Sequence, residues 1–556
     1  MLEMGGSLLL DLVIRNGRIL DGTGNPWYRS DIGISGDEIV KISRNIEEQG
    51  SKTIDGAGLY VSPGFIDMHT HWDLRVFAHP EEEEKLRQGI TTSLIGQDGL
   101  SVAPLRDEVK EEMRLRVSGL LGKYIDSWPW NSMEEYLGYL AKAGPSTNYM
   151  MLVPHGAIRV DVLGWDNRPA SDNELDRMKC LLGEALDEGA CGFSTGLIYP
   201  PGMYADRREL VELCRVTGDK GGFFVVHMRD EGNFLMDSIR EVSEICIEAA
   251  CPLHISHLKV AGRINWGKSG EVLELLEAMR DRGLELTFDQ YPYTAGSTML
   301  DALIPPRFHT GGTEKLLERL SDPAIREEIR MIVESEKVER WENWVAHCGW
   351  DGILINSVGS DINRFAEGKT LDEIGKITDQ TPFEALCNLL VSEEGQVVMT
   401  QFYGDEKDVE NFMNSDYMTL CSDAIVGGKP HPRAFGSTCR FLGEYVRERG
   451  VLTLPQAVLR MTSRSARRLG LSDRGLLREG MKADITVFDY GKINEKGTFR
   501  EPNQYPQGIV HVIINGQPAL YNGELTGSRR GRVLRTGQDA GNCCLKNPGI
   551  QGTDQQ

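Results

Sequence analysis

The sequence predicts an α/β protein built on a parallel β/α barrel, with a small β-sandwich formed from both chain ends. Short β-rich runs alternate with amphipathic helical stretches from about residue 63 to about residue 464. That order is typical of a parallel barrel. Short strands and tight turns recur near both termini, as in an antiparallel unit. We therefore expect the catalytic groups at the C-terminal ends of the barrel strands.

Composition supports a globular protein and excludes several function classes. The chain has 556 residues, of which 40% are hydrophobic and 26% charged, enough apolar material for a large core. Its net charge of -22 disfavours nucleic acid and anionic lipid as partners. The longest apolar runs fall short of the ~20 residues that a transmembrane helix needs, and no secretory signal pattern is recognisable. With 11 cysteines and no C-x-x-C pair, we expect a cytoplasmic protein with reduced thiols.

The pattern of strand-like and helical runs also predicts the domain boundaries. Residues 7–62 and 465–536 are expected to form the β-sandwich, and residues 63–464 the barrel. A charge-rich stretch with helical periodicity at 313–344 is predicted as a helical insertion that covers the barrel mouth. Residues 537–556 contain little apolar material, so we predict a disordered tail. The β-like runs between the two ends are 61–69, 93–95, 149–153, 191–194, 223–227, 253–258, 284–291, 352–357 and 418–422.

Histidines at predicted strand ends indicate a metal site. His69 and His71 end the first apolar run, and residues i and i+2 of a strand point to the same face, so both imidazoles can bind one metal. His227 and His257 end two later runs. Four such histidines supply the neutral nitrogen ligands that zinc prefers.

Two further residues extend this prediction. Alternation along residues 253–259 places Lys259 on the same face as His257 and places His254 on the other face, as a packed or supporting residue. Asp423 follows the run 418–422, where a carboxylate beside a metal-activated water can act as a general base. The alternative role for Asp423 is capping of the next helix.

Taken together, these motifs resemble the metal-dependent amidohydrolase superfamily and, within it, the D-aminoacylase (N-acyl-D-amino-acid deacylase) family. The likeness covers roughly residues 10 to 535. The motifs are GFIDMHTH at 64–71, GFSTGLIYPPG at 192–202, HMRDE at 227–231, YPYTAGS at 291–297, SD at 422–423, HPR at 431–433 and GLLREGMKAD at 475–484.

This resemblance implies a distorted (β/α)8 TIM-like barrel flanked by a β-sandwich. It also implies zinc-dependent hydrolysis of a small-molecule N-acyl-D-amino acid to a carboxylate and a free D-amino acid. The residues that match the family's site are His69 and His71 at one metal position, His227 and His257 at the other, Asp423 as the catalytic acid/base, and Lys259, Tyr291 and Arg433 as the group that binds the α-carboxylate. A lysine, a phenol and a guanidinium suit a carboxylate chemically, whereas a surface charge or a core position is the alternative role for each.

One position departs from the family pattern. Members usually have a cysteine metal ligand after the second strand, where this sequence has Asp98. A carboxylate is a harder ligand that still binds or bridges Zn²⁺ and would also admit Mn²⁺ or Co²⁺. The alternative is that Asp98 serves only as a turn residue before Gly99. The sequence is compatible with one or two metal ions, and it specifies neither the preferred side chain nor the oligomeric state.

Parts of the sequence are compatible with three other functions. Residues 192–196 fit the G-x-S-x-G pattern of serine hydrolases, with Ser194 as nucleophile, although a loop follows where that motif requires a helix. A related amidohydrolase acting on another linear or cyclic amide, dihydropyrimidinase-like or dipeptidase-like, is a second alternative. Residues 190–195 contain no lysine for carboxylation, which disfavours the dihydroorotase-like and isoaspartyl dipeptidase-like enzymes. The four histidines with Asp423 argue against a non-catalytic scaffold. His155 is expected either to contact substrate or to be structural.

Overall fold

The structure is a computed structural model that describes residues 10–335 and 341–536. The predicted tail at 537–556 lies outside the described residues. The strands are β1 (Leu10–Ile19), β2 (Tyr28–Ser35), β3 (Glu38–Ser43), β4 (Gly50–Asp55), β5 (Tyr60–Pro63), β6 (Phe65–Asp67), β7 (Ile90–Ile95), β8 (Asn148–Pro154), β9 (Gly192–Gly196), β10 (Phe223–His227), β11 (Leu253–Ile255), β12 (Leu286–Gln290), β13 (Gly296–Met299), β14 (Ile353–Ser357), β15 (Val398–Gln401), β16 (Met418–Leu420), β17 (Ile485–Phe488), β18 (Ile509–Ile514), β19 (Gln517–Tyr521) and β20 (Glu524–Leu525).

Helices connect most of these strands. They are α1 (Arg75–Ala78), α2 (Glu83–Leu86), α3 (Asp107–Leu121), α4 (Met133–Ala143), α5 (His155–Leu163), α6 (Asp172–Asp187), α7 (Arg207–Asp219), α8 (Leu235–Ala249), α9 (Ser269–Asp281), α10 (Gly312–Ser321), α11 (Pro323–Val333), α12 (Trp344–Cys348), α13 (Leu371–Thr378), α14 (Pro382–Ser392), α15 (Glu406–Asn414), α16 (Arg433–Arg440), α17 (Leu454–Met461) and α18 (Ser463–Arg468). Within the described residues, none has both the length and the apolar character needed to cross a membrane.

Local sequence signals set several helix starts. At α13, the Thr370 side chain and Glu373 form a capping box with each other's backbone N–H groups. At α14, Thr381 and Glu384 form the same arrangement, and Pro382 occupies the first helical turn. Such caps satisfy N–H groups that have no partner within the helix.

The barrel contains eight parallel strands in the order β6–β7–β8–β9–β10–β11–β12–β16. Its two edges meet through a single bridge between Thr70 and Ala424 and a 3.4 Å hydrogen bond from the Met68 N–H to the Leu420 carbonyl. The central strands are buried along their whole length, as expected where helices cover the outer face. The predicted fold class is confirmed. The barrel is distorted because its two edge strands, β6 and β16, are joined by few hydrogen bonds.

A second, nine-stranded sheet combines both ends of the chain. Its order is β20–β19–β18–β17–β5–β1–β2–β3, with β4 pairing to β1. β17 pairs antiparallel with β5, so that Thr486 lies opposite Ser62. Aliphatic side chains from both ends, including Ile14, Val61 and Ile485, share one buried cluster. The pairing joins segments that are more than 400 residues apart in the sequence, directly before the first barrel strand, β6, begins.

One predicted barrel strand was wrong. The run at 352–357 contains β14, which lies in a separate antiparallel sheet of order β13–β15–β14. Its apolar residues are buried like those of a barrel strand, and hydrophobicity alone does not reveal which sheet a strand joins. In the stretch predicted as an insertion, α10 and α11 are present, and Trp344 begins α12.

Candidate metal centre and active site

The strand ends of the barrel bring the predicted histidines and aspartates together. His227 is the last residue of β10, while the others follow the ends of β6, β7, β11 and β16. Among the described residues, three groups each place their ligand atoms within 4.8 Å of one another. They are His69, Asp98 and His257; His69, His71 and Asp423; and His227, Glu231 and His257. All of these residues are buried.

The first histidine pair is held by the strand closure. β6 ends at Asp67 and the chain bends at Met68, but the following residues still pair with the segment after β16. The Asp423 N–H donates to the His69 carbonyl at 2.8 Å, and the His71 N–H donates to the Ala424 carbonyl at 3.1 Å. The two Nε2 atoms therefore point to the same side and lie 3.4 Å apart. Asp423 Oδ1 is 3.6 Å from His69 Nε2 and 3.3 Å from His71 Nε2.

The second pair is assembled by a strand end and a turn. His227 Nδ1 and His257 Nε2 lie 2.9 Å apart. β11 ends at Ile255, and His257 has a left-handed φ of 33°, so the alternation predicted for residues 256–259 does not occur. Lys259 nevertheless reaches the same side, with Nζ 2.8 Å from His257 Nδ1. The turn is fixed by the His257 N–H, which donates to Asp289 Oδ1 at 2.7 Å.

Asp98 lies between the two histidine pairs. Its Oδ2 is 3.5 Å from His69 Nε2 and 3.6 Å from His71 Nε2, while Oδ1 is 3.9 Å from His257 Nε2. One carboxylate can therefore reach both positions at once. Asp98 is also a turn residue, with φ of 56°, so its turn role and its place in the cluster are compatible.

The turn that carries Asp98 is tightly built. Gly96 has φ of 80°, and a Cβ there would lie 2.4 Å from the Leu152 carbonyl oxygen, so only glycine fits. The Ser194 hydroxyl donates to the Gly96 carbonyl and accepts the Gly99 N–H at 3.1 Å. Ser194 therefore clamps both ends of the turn. Its position in the G-x-S-x-G pattern is explained by this support.

The electrostatics of the cluster favour a cation. Burial opposes protonation of His69, yet the Asp98 and Asp423 carboxylates raise its pKa to about 9. At the other pair, burial lowers the pKa of His227 to about 3. Burial also opposes ionisation of Asp423, but Arg433 and His69 hold its pKa well below the usual range. Ionised carboxylates thus surround the first pair.

The ligand types in the cluster, and two buried polar atoms without hydrogen-bond partners, are both compatible with a bound metal ion. Asp98 Oδ1 and His227 Nε2 are buried and have no hydrogen-bond partner within residues 10–335 and 341–536. Such orphaned polar atoms are costly unless something binds them. Imidazole nitrogens with carboxylate oxygens are ligands suited to Zn²⁺, and also to Mn²⁺ or Co²⁺. The residues therefore fit a metal centre.

The three predicted carboxylate-binding residues lie beside this cluster. Lys259 Nζ donates to Glu231 Oε2 at 2.6 Å. Arg433 NH1 is 2.9 Å from Asp423 Oδ2, and its guanidinium stacks 4.5 Å from the centre of the Tyr291 ring. The Tyr291 hydroxyl is 2.7 Å from that of Tyr403. All three residues are buried, and the two cations contact acidic members of the site.

Sequence reasoning missed two carboxylates that support the histidines. Glu231 Oε1 lies 3.2 Å from His257 Nδ1 and Oε2 lies 3.5 Å from His227 Nε2. Its spacing, four residues after a strand-end histidine, was the available signal. Asp289 on β12 accepts the His257 N–H and lies 3.9 Å from His69 Nδ1. No motif marks it, because its role arises from pairing between strands.

Two other buried histidines form hydrogen bonds to neighbouring side chains and have a structural role. His254 Nε2 is 2.9 Å from Asp289 Oδ2, and Nδ1 is 2.7 Å from the Thr287 hydroxyl. His155 is 2.8 Å from both Thr195 and Glu209 through its two ring nitrogens. Both rings are therefore fully engaged outside the cluster.

A pocket opens onto the cluster. It is lined by His71, Asp98, Leu120, Tyr199, His227, Glu231, His257, Lys259, Tyr291, Gly296, Ser297, Thr298, Trp344, Gln401, Asp423 and Ile425. Leu120 comes from α3 and Trp344 from the start of α12, so loops and helices outside the barrel strands complete the wall.

A parallel barrel with imidazole and carboxylate ligands at its strand ends, plus a neighbouring aspartate, defines a metal-dependent hydrolase. Comparisons with known proteins agree. The amidohydrolase family model matches residues 52–303 and 414–520. The chain is 32% identical over 528 residues to D-aminoacylase of Alcaligenes xylosoxydans xylosoxydans, covering 94% of this chain and 97% of that protein.

The chain is similar to two further proteins of the same kind. N-acyl-D-glutamate deacylase of the same organism is 33% identical, over 95% of this chain and 96% of its own length. A crystal structure of N-acyl-D-glutamate deacylase from Bordetella bronchiseptica, complexed with zinc and a phosphonate inhibitor, has a TM-score of 0.81 at 30% identity and covers 95% of this chain and 100% of that one. The chain belongs to the amidohydrolase family and, within it, to the D-aminoacylase family.

Proposed function

We propose that this protein is a zinc-dependent hydrolase of N-acyl-D-amino acids, which releases a carboxylate and a free D-amino acid. The observation that carries the proposal is the position of Asp423, whose Oδ1 lies within 3.6 Å of both histidines of the first pair while Oδ2 contacts Arg433. The names of the relatives in the same family support this substrate class. We propose His69, His71, Asp98, His227 and His257 as the metal ligands.

When bound, a zinc ion polarises an amide carbonyl and makes water acidic enough to react near neutral pH. Asp423 provides the base. Its pKa is held low because Arg433 and His69 outweigh the effect of burial, so the carboxylate is ionised and ready to accept a proton from the attacking water. The same oxygen then returns that proton to the departing amine. Arg433 fixes the orientation of Asp423 during both transfers.

Lys259, Tyr291 and Arg433 are proposed to bind the α-carboxylate of the substrate. A lysine and an arginine supply charge-assisted hydrogen bonds, and a phenol adds a neutral donor. Together they hold the α-carbon in one orientation relative to Asp423. This geometry supports selection of one enantiomer, because the mirror image would direct its side chain into the opposite wall of the pocket.

The protein is also proposed to be cytoplasmic. The cysteines within the described residues are free thiols, and all but Cys180 are buried. Free thiols persist in reducing compartments. Detection of the protein in an oxidising extracellular fraction, with none in the cytoplasm, would contradict this location.

The decisive experiment measures amine release from N-acetyl-D-methionine and N-acetyl-L-methionine by zinc-loaded protein. We expect hydrolysis of the D enantiomer alone. Turnover of the L form at an equal rate would contradict the enantiomer selection, while hydrolysis of neither would contradict the deacylase function. A matched measurement on chelator-treated protein, followed by zinc addition, shows whether the activity depends on the metal.

A further inference from the structure

We infer that the pocket accepts D-amino acids with uncharged side chains and rejects those with a side-chain carboxylate. This inference rests on the proposed deacylase function and specifies its substrate class. It concerns the part of the substrate that the α-carboxylate group and the metal ligands do not bind. Relatives of the same family include both a D-aminoacylase and an N-acyl-D-glutamate deacylase, so the family alone does not decide between these classes.

The charges in the pocket wall are the first argument. Lys259 is the sole Lys or Arg among the described residues that line the pocket, and it is one of the residues proposed for the α-carboxylate. Every substrate of this type already has one α-carboxylate that needs a cation. A second carboxylate would therefore enter a wall that has no cation left for it.

The neighbouring cations are already committed. Lys259 Nζ is bound to Glu231 at 2.6 Å, and Arg433 contacts Asp423 at 2.9 Å and donates to the Ser297 carbonyl at 3.0 Å. Arg116, one helical turn before the pocket residue Leu120, forms a buried ion pair with Asp301. Lys259 and Arg433 are also the cations proposed for the α-carboxylate, so neither is available for a second carboxylate. Releasing Arg116 would leave the buried Asp301 carboxylate without its partner, which is strongly unfavourable.

The remaining wall is neutral. Leu120, Tyr199, Trp344 and Ile425 supply apolar or aromatic surface. Three buried polar atoms have no hydrogen-bond partner in the described part of the chain: Ser297 Oγ, Gln401 Oε1 and Trp344 Nε1. They offer neutral donors and acceptors, which satisfy an amide but do not neutralise a carboxylate. Methionine-like and glutamine-like side chains both match this surface.

The test compares kcat/KM for N-acetyl-D-methionine, N-acetyl-D-glutamine and N-acetyl-D-glutamate on the same zinc-loaded protein. Glutamine and glutamate have nearly the same size, so their ratio isolates the charge. We expect glutamate to be at least ~100-fold poorer than either neutral substrate, since a buried unpaired charge is costly. Glutamate turnover equal to that of glutamine would overturn the inference and still support the deacylase function. Turnover of none would contradict the proposed function and this inference with it.

A variant pair tests where the discrimination arises. Leu120→Lys adds a cation to the wall, and Leu120→Met keeps it neutral with a similar length. We expect Leu120→Lys to raise the glutamate-to-glutamine ratio at least ~10-fold and Leu120→Met to leave it unchanged. An unchanged ratio in a folded Leu120→Lys protein would contradict a side-chain subsite at Leu120. Thermal unfolding of both variants establishes that they are folded, and the wild-type comparison stands without them.

Discussion

Asp98 is the residue that most distinguishes this metal site. It occupies a position where a thiolate was expected, and its two oxygens face different histidines. A carboxylate binds hard cations relatively better than a thiolate does. This substitution therefore shifts the expected metal preference without removing the site.

We predict that Asp98→Cys retains zinc more strongly relative to manganese than wild type, and that Asp98→Ala loses metal. The reason is the softer thiolate in the first case and the loss of the shared ligand in the second. Metal content after dialysis against equal zinc and manganese, measured by elemental analysis, tests both. The matched control is Asp408→Asn, a buried aspartate that accepts backbone N–H groups of Gly267 and Ser269 away from the cluster. Unchanged metal content in Asp98→Ala would exclude Asp98 as a ligand.

Asp423 provides the second prediction. Asp423→Asn keeps the shape of the side chain and removes its capacity to accept a proton, so kcat should fall by about 10²–10⁴-fold. Metal content should stay near wild type if the histidines dominate binding. Asp416→Asn, an exposed aspartate in the turn before β16, is the control and should leave kcat unchanged. A kcat within twofold of wild type for Asp423→Asn would refute the acid/base role.

At the scale of elements, the barrel strands and the turns that follow them explain how the site is assembled. Most barrel strands and the histidines at their ends were predictable, because buried parallel strands appear in the sequence as short runs of apolar residues. Glu231 and Asp289 were not, since their contacts depend on neighbouring strands and turns. The strand at 353–357 was misplaced because its apolar pattern fits either sheet.

The turn after β7 gives a prediction at this scale. Ser194→Ala removes both hydrogen bonds that clamp residues 96–99, which should destabilise the fold by about 1–3 kcal/mol and weaken metal retention. Activity should persist when metal is in excess. The control is Ser243→Ala, a buried serine on α8 whose hydroxyl has no partner among the described residues. Complete loss of activity with normal metal content, or labelling of Ser194 by a fluorophosphonate probe, would instead indicate a serine nucleophile.

For the whole molecule, both chain ends pack into one sheet, and the stability of that sheet should respond to acid. His511 on β18 is buried, and its Nδ1 accepts the Asn522 N–H at 3.3 Å. Burial lowers its pKa to about 4. An unfolded histidine has a pKa near ~6.5, so the unfolded chain takes up the proton first as pH falls. The stabilising contribution is therefore complete above about pH 6.5 and is lost as the pH falls toward 4.

Replacing His511 by Gln should reduce the acid sensitivity of the protein. We expect the difference in unfolding free energy between pH 7 and pH 5 to shrink by on the order of 1 kcal/mol, because one proton-binding site of the unfolded chain is gone. Thermal unfolding midpoints at the two pH values, for wild type and variant, measure this change. His79→Gln, at a histidine exposed at the end of α1, serves as the control, and a loss of acid sensitivity equal to that of His511→Gln would contradict the assignment to His511. If His511→Gln lost stability equally at both pH values, His511 would contribute through packing alone, and the acid sensitivity would have to arise from buried groups in the barrel.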